Sequence, residues 1–300
     1  MGSDAEGEHE PVLLAEVMEW LAVKPGALYV DGTLGLGGHT REILARSAPE
    51  GRVIGVDRDE EALDRARLKL RDEESRLEFI HADYRDLPAE LDARGLRPDG
   101  ILLDLGIGSH QLDAPERGFS FRHDGPLDMR FDRSQGRTAA DLVNRLPVKE
   151  LADVLFFFGE ERASRRIAHA IVDARRVRAF RTTAELAEVV RRAAPRSRRG
   201  LDPATRTFQA LRIRVNGELD ALGAAVQALC ERLAPGGRFV AISFHSLEDR
   251  EVKLALRELA RGSYELLTRK PLRATQAEQQ RNRRSRSARL RALERMEEAA

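Results

Sequence analysis

Cysteine is nearly absent: the chain of 300 residues has one, Cys230. No disulfide can form within the chain, and zinc sites built on several thiolates are excluded. Cys230 sits among Ala228, Leu229 and Leu233 in a helical pattern, where a core position is the plain reading. The seven histidines show no ligand spacing, so no metal is expected. Long apolar runs are lacking too, none approaching the roughly 18 residues that a membrane span needs. Met1–Glu8 is small and acidic rather than apolar. Neither secretion nor membrane insertion is expected, and a reducing cytoplasm is the simplest location.

What is present suffices for an ordinary core: 42% of residues are apolar. The net charge of +1 conceals a strong segregation. Residues 162–214 carry fifteen basic side chains against four acids, and 269–291 carry nine against one, leaving a net −18 for the remainder. Two basic surfaces on an acidic body are the footprint expected for a polyanionic partner such as nucleic acid. Arginine dominates both, which favours bidentate phosphate contact and stacking on bases. A solvated helix face is the bland alternative for either segment taken alone.

The run Tyr29-Val-Asp-Gly-Thr-Leu-Gly-Leu-Gly-Gly-His39 reads as a strand feeding a ligand-cradling loop with Gly32, Gly35, Gly37 and Gly38. A second apolar run closes on Asp57, about twenty residues on, where a doubly wound sheet places an acid against ribose hydroxyls. Counting from Gly35 puts Thr40 where a dinucleotide fingerprint needs its third glycine, and no Lys-Ser/Thr pair follows as in a phosphate-binding P-loop. NAD and ATP are therefore disfavoured. A cofactor with an adenosine and a zwitterionic amino-acid tail suits the pattern, and S-adenosylmethionine fits that description. The alternative is a merely tight turn, which the paired Asp57 argues against.

Apolar runs at Leu28–Asp31, Val53–Asp57, Leu77–His81 and Ile101–Asp104 alternate with helical patterns near 39–47 and 59–71. That is an α/β doubly wound, Rossmann-like half. From Leu112 to about Val215 the periodicity turns helical, and the pattern then resumes with a helix near 218–233 and the strand Arg238–Ser243. Pro235-Gly-Gly237 between them stops the helix and turns the chain, in the manner of the turn before the fifth strand of doubly wound methyltransferases. The expected organisation is a core in two parts, 1–111 and 216–300, around an inserted helical RNA-recognition domain, 112–215. Gln276–Arg291 is too polar to pack by itself and is expected to be a basic tail that orders only on RNA.

Asp104 ends the fourth strand, and ligands in doubly wound folds sit outside the carboxyl ends of the strands. It is followed by Ser109, His110 and Gln111. A conjugated exocyclic amine is a poor nucleophile, so hydrogen-bond acceptors and in-line alignment are the main help a protein can give its methylation. Asp104, Ser109 and His245 are the candidate catalytic residues. His245, in Ser243-Phe-His-Ser-Leu-Glu-Asp249, would take up the released proton or hold RNA, or equally only tie down its loop. His39, at a helix start, is better placed to orient the cofactor's amino-acid end than to do acid–base work.

The run Asp113–Arg130 resembles the signature of the ribosomal RNA small subunit methyltransferase H family. His9-Glu-Pro-Val-Leu13, the glycine loop, Gly159-Glu-Glu161, Pro203–Arg212, Ser243–Arg250 and Asn282–Arg291 resemble it as well. The resemblance implies a class I methyltransferase core with a helical insertion, methylating N4 of a cytidine in the decoding centre of 16S ribosomal RNA with S-adenosylmethionine. It places cofactor contacts on Gly35, Gly37, Gly38, His39, Asp57, Tyr84, Asp104 and Gln111, with Tyr84, just past the third strand, covering the adenine. The partner would be small-subunit ribosomal RNA or the assembled small subunit; a homodimer is left open. Where the family usually reads Ser-Ser-Pro before the glutamine, this chain has Gly108-Ser109-His110, so how the target base is held stays open. Two other readings remain, a methyltransferase acting on another RNA or a protein, and a ribosome-assembly factor with a residual pocket.

Overall fold

The computed structural model describes residues 10–194 and 202–297. Expectations placed on Met1–Glu8, on His9 and on 195–201 of the first basic segment lie outside the described residues. The chain divides into two compact units, one made of 1–106 with 221–300 and the other of 107–220.

The first unit opens with α1 (Leu14–Leu21), β1 (Leu28–Asp31), α2 (Gly38–Ser47), β2 (Arg52–Asp57), α3 (Glu60–Lys69), β3 (Leu77–His81), α4 (Leu87–Ala93) and β4 (Gly100–Asp104). The second unit is helical: α5 (Ser109–Leu112), α6 (Ala139–Arg145), α7 (Val148–Gly159), α8 (Ser164–Val177), α9 (Thr183–Ala193) and α10 (Ala204–Asn216). The first unit is completed by α11 (Leu222–Glu231), β5 (Arg238–Ser243), α12 (Ser246–Leu259), β6 (Tyr264–Leu266), α13 (Gln276–Arg281) and β7 (Arg289–Arg295).

The seven strands form one sheet in the order β3-β2-β1-β4-β5-β7-β6. All neighbours are parallel through β5, with Val30 opposite both Ile54 and Ile101, while β7 runs antiparallel to β5 and to β6. Ile101, Leu102 and Leu103 are fully buried, as expected of a parallel strand covered on both faces. Strand order reverses direction between β1 and β4, and ligands of open α/β sheets bind outside the carboxyl ends at such a switch point. β1, β2 and β4 each end there on an aspartate: Asp31, Asp57 and Asp104.

The second unit has its own core, with Leu151 and Leu155 of α7 packed among Ile167, Ile171, Leu186, Val190 and Leu211. The unit, 107–220, runs past the expected 112–215 at both ends, and Ile107 lies against its core. Thr138 and Thr182 cap α6 and α9, each in a reciprocal capping box with the acid three residues on. Among the described residues no helix is long and apolar enough to cross a membrane.

The expected basic tail is the main correction. Gln276–Arg281 is helical, and Arg289–Arg295 is a strand lying between β5 and β6 with Leu290, Ala292 and Leu293 fully buried. It needs no RNA to pack, because its polar residues find partners in the fold. Arg291 is 5% exposed and donates from Nε to Asp249 Oδ1 of α12 at 2.7 Å. Cutting one member of a buried ion pair leaves the other uncompensated. Arg291→Ala is therefore expected to lower the stability of the first unit by about 2 kcal/mol, below the fully buried range because Asp249 reaches some solvent. A urea titration reads this directly, and a midpoint equal to wild type would contradict it.

Candidate functional site

The loop from β1 to α2 is shaped by close approach. Gly32 donates its N–H to the Leu102 carbonyl at 2.9 Å, and a Cβ there would come within 2.6 Å of Leu103 Cδ2 and 3.2 Å of Tyr84 Cβ. Gly37 caps α2 with φ of 76°, a conformation that L side chains rarely adopt. The loop is tied to β2 by Asp57, whose Oδ2 accepts the Gly35 N–H at 2.7 Å while Oδ1 accepts that of Asp59 at 2.9 Å. Burial pushes the Asp57 carboxyl up to about 6, against the opposing pull of those N–H groups.

Asp31 is 1% exposed. Its Oδ2 accepts from the Thr40 hydroxyl at 2.7 Å and its Oδ1 from the Thr33 N–H at 3.2 Å, yet burial still raises it to about 6. Asp104 lies one strand away. Its backbone N–H donates to Thr33 Oγ1 at 2.6 Å, and its Oδ1 is buried without a hydrogen-bond partner. Burial raises Asp104 to about 7, with Arg284 opposing and Glu248 adding to the shift, although 22% of the side chain stays open.

His39 is buried behind these acids. Its Nε2 lies 3.0 Å from the Val12 carbonyl, which can only accept, so the proton sits on Nε2 and the lone pair on Nδ1. Nδ1 faces Asp104 Oδ2 at 3.9 Å, too far for a hydrogen bond. Burial holds the imidazole below its usual range despite Asp31 nearby, so it is neutral at physiological pH. Tyr84, just past β3, is 8% exposed with its phenol pushed up by burial. Beside it Asp83 is clamped by Arg58 at 3.0 Å and Arg85 at 2.6 Å.

His245 is the N-cap of α12, with Nδ1 accepting from the Glu248 N–H at 3.3 Å and Nε2 lying 3.1 Å from Glu248 Oε1. Glu248 is 1% exposed and its Oε2 also accepts from the Phe244 N–H. The ring is thus held by its own helix start. Next to it, the Arg284 guanidinium stacks over Phe244 at 5.5 Å from the ring centroid.

The structure brings Gly35, Gly37, Gly38, His39, Asp57, Tyr84 and Asp104 to the carboxyl edge of one sheet. Ser109 and Gln111 belong to α5 in the other unit. There Gln111 Oε1 accepts the Gly108 N–H at 2.9 Å and closes the helix start, while Ser109 is half-buried. Sequence reasoning missed Asp31, Thr40, Glu248 and Arg284. Asp31 had a readable signal, an acid ending an apolar strand just before a glycine loop; Arg284 had none within its arginine run.

Carboxyls ending three adjacent strands, with Asp57 and Asp104 partly open and Asp31 buried behind them, favour a positively charged ligand. The glycine loop admits one close to the backbone, and the unmatched Asp104 Oδ1 supplies an acceptor. A group with an adenosine, a sulfonium and an ammonium fits this donor set.

Residues 6–296 match the model of the MraW methylase family. A protein of Geobacter sp. (strain M21) named Ribosomal RNA small subunit methyltransferase H is 49% identical, over 96% of this chain and 98% of its own. One of the same name from Syntrophobacter fumaroxidans is 47% identical over 96% of both chains. Another from Symbiobacterium thermophilum is 47% identical, over 95% of this chain and 96% of its own.

Proposed function

The chain belongs to the MraW methylase family, and from that premise we propose that it methylates the exocyclic N4 amine of a cytidine in the decoding centre of small-subunit ribosomal RNA, with S-adenosylmethionine as donor. The observation that carries the reading is the buried Asp104 with an unmatched Oδ1 beside the glycine loop. The names of the relatives supply the RNA class, and a cytoplasmic location goes with it.

The cofactor supplies an electrophilic methyl on a sulfonium. Gly35, Gly37 and Gly38 would admit its amino-acid end close to the backbone, Asp57 would hold the ribose hydroxyls, and Tyr84 would lie against the adenine. The Asp104 carboxylate, when ionised, would accept a hydrogen from the cytidine amine through the part of it that stays open and draw the nitrogen lone pair out of conjugation. Once that methyl is transferred the nitrogen would have a proton to lose, which a residue of this site would have to receive. Asp104, when ionised, would receive it, and His39 Nδ1 lies 3.9 Å from its Oδ2. Ser109 and Gln111 are assigned to the target base and the cofactor by resemblance.

The test is transfer from labelled S-adenosylmethionine to small ribosomal subunits lacking their decoding-centre methylation, with nucleoside mass analysis. N4-methylcytidine is the expected product, and offering naked RNA beside assembled subunits identifies the true substrate. Cofactor binding with no transfer to either would overturn the reading.

A further inference from the structure

We propose that the exposed surface at the start of α8, formed by Arg162 in the turn just before the helix and by Arg165, Arg166 and His169 on it, is where the helical unit takes hold of the RNA phosphate backbone. This rests on the RNA reading above and narrows it to one surface.

Seven of the twelve described arginines of the 162–214 segment are already engaged. Arg176 pairs with Asp173 at 3.0 Å, Arg178 with Glu185 at 2.7 Å, Arg191 with Asp202 at 2.8 Å, Arg192 with Glu188 at 3.1 Å and Arg212 with Glu218 at 2.7 Å. Arg175 donates to the Val143 and Leu146 carbonyls, and Arg206 to that of Glu160. A charge that closes a helix end or meets a carboxylate contributes little field at a distance.

Arg162, Arg165 and Arg166 differ. Among the described residues no carboxylate pairs with any of them, all three are exposed, and the first turn of α8 holds no acid. Arg165, Arg166 and His169 share the outward side of the helix's first turns, and Arg162 stands in the turn that leads into it. The opposite face, Ile167, Ala168 and Ile171, is buried in the core of the unit, which fixes that side outward. Asp173 is the next acid along this face and is spent on Arg176. Three guanidiniums without a carboxylate partner, two of them on a rigid helix, suit a sugar–phosphate backbone, whose charges recur along the strand, better than a protein surface of mixed sign.

The experiment compares the salt dependence of binding to a transcript of the decoding region for three proteins. They are wild type, the triple variant Arg162→Gln/Arg165→Gln/Arg166→Gln, and the control Arg176→Gln/Arg178→Gln/Arg192→Gln. Each phosphate contact contributes about 0.7 to 0.9 to the slope of log K against log salt. The first triple is expected to reduce the slope by about 2 and to weaken binding about a hundredfold near 0.1 M salt, and the control to change neither by much. Arg165→Gln alone should remove about one contact, which guards against a folding defect in the triple. A wild-type slope in the first triple, with RNA still bound, would place the surface elsewhere. A wild type that neither binds nor methylates the RNA would overturn the functional reading itself.

Discussion

Asp57→Ala is expected to weaken S-adenosylmethionine binding by about a hundredfold or more and to suppress methyl transfer at ordinary cofactor concentrations. A carboxylate that accepts two ribose hydroxyls makes two charge-assisted hydrogen bonds, each worth about 1.5 to 3 kcal/mol. Losing both costs at least about 3 kcal/mol, or two decades of affinity. The loop adds to this, since the Gly35 N–H loses its 2.7 Å acceptor and the cradle loses its tether to β2. Asp57→Asn separates the two effects. It keeps an oxygen for Gly35 but loses the charge, so its affinity should fall between wild type and alanine. Calorimetric titration gives the numbers, and an alanine variant within threefold of wild type would remove Asp57 from the cofactor site.

The second large effect concerns protons. In the ligand-free protein Asp31 and Asp57 titrate at about 6 and Asp104 at about 7. Each is raised above its unfolded value, so each favours the fold at low pH, and that contribution is lost as pH rises from about 4 through 7. A cationic ligand prefers the ionised carboxyls. Its affinity should therefore rise with pH between about 5 and 8, with protons released on binding. Thermal melting across this range should show the ligand-free protein weakening toward neutral pH and the cofactor stabilising it most there. Asp104→Asn should flatten the upper part of the affinity profile and reduce the methyl-transfer rate about 10² to 10⁴-fold, the usual range for a lost acid–base group. A flat profile in wild type, or near-normal transfer by Asp104→Asn, would take Asp104 out of the reaction.

The parallel half of the sheet was legible because strands buried on both faces appear as unbroken apolar runs, and β1, β2, β4 and β5 lie where those runs do. The acids that end β1, β2 and β4 were in view, though only Asp57 and Asp104 invited attention. The antiparallel edge was not legible. β6 spans three residues, and β7 interleaves Leu290, Ala292 and Leu293 with charged residues that suggest solvent. What neutralises Arg291 is Asp249, 42 positions earlier, a partner that no local pattern discloses. His245 was different, since its tie to Glu248 three residues on is a local capping pattern, and the reading in which it only ties down its loop was within reach. The limit of local pattern applied to the arginines as well, since a count of charge cannot tell Arg165 in the open from Arg175 closing a helix.

The position of β7 bears on the order in which the molecule is made. During synthesis the helical unit is contiguous and is translated in full before α11 begins, so it can condense while the sheet is still incomplete. The sheet cannot close in that order, because a strand near the end of the described chain lies inside it between β5 and β6. Until Arg289–Arg295 leaves the ribosome, β5 presents an unpaired edge to other nascent chains. Each new molecule thus passes through an interval in which it is open to strand exchange, and the emergence of β7 ends that interval.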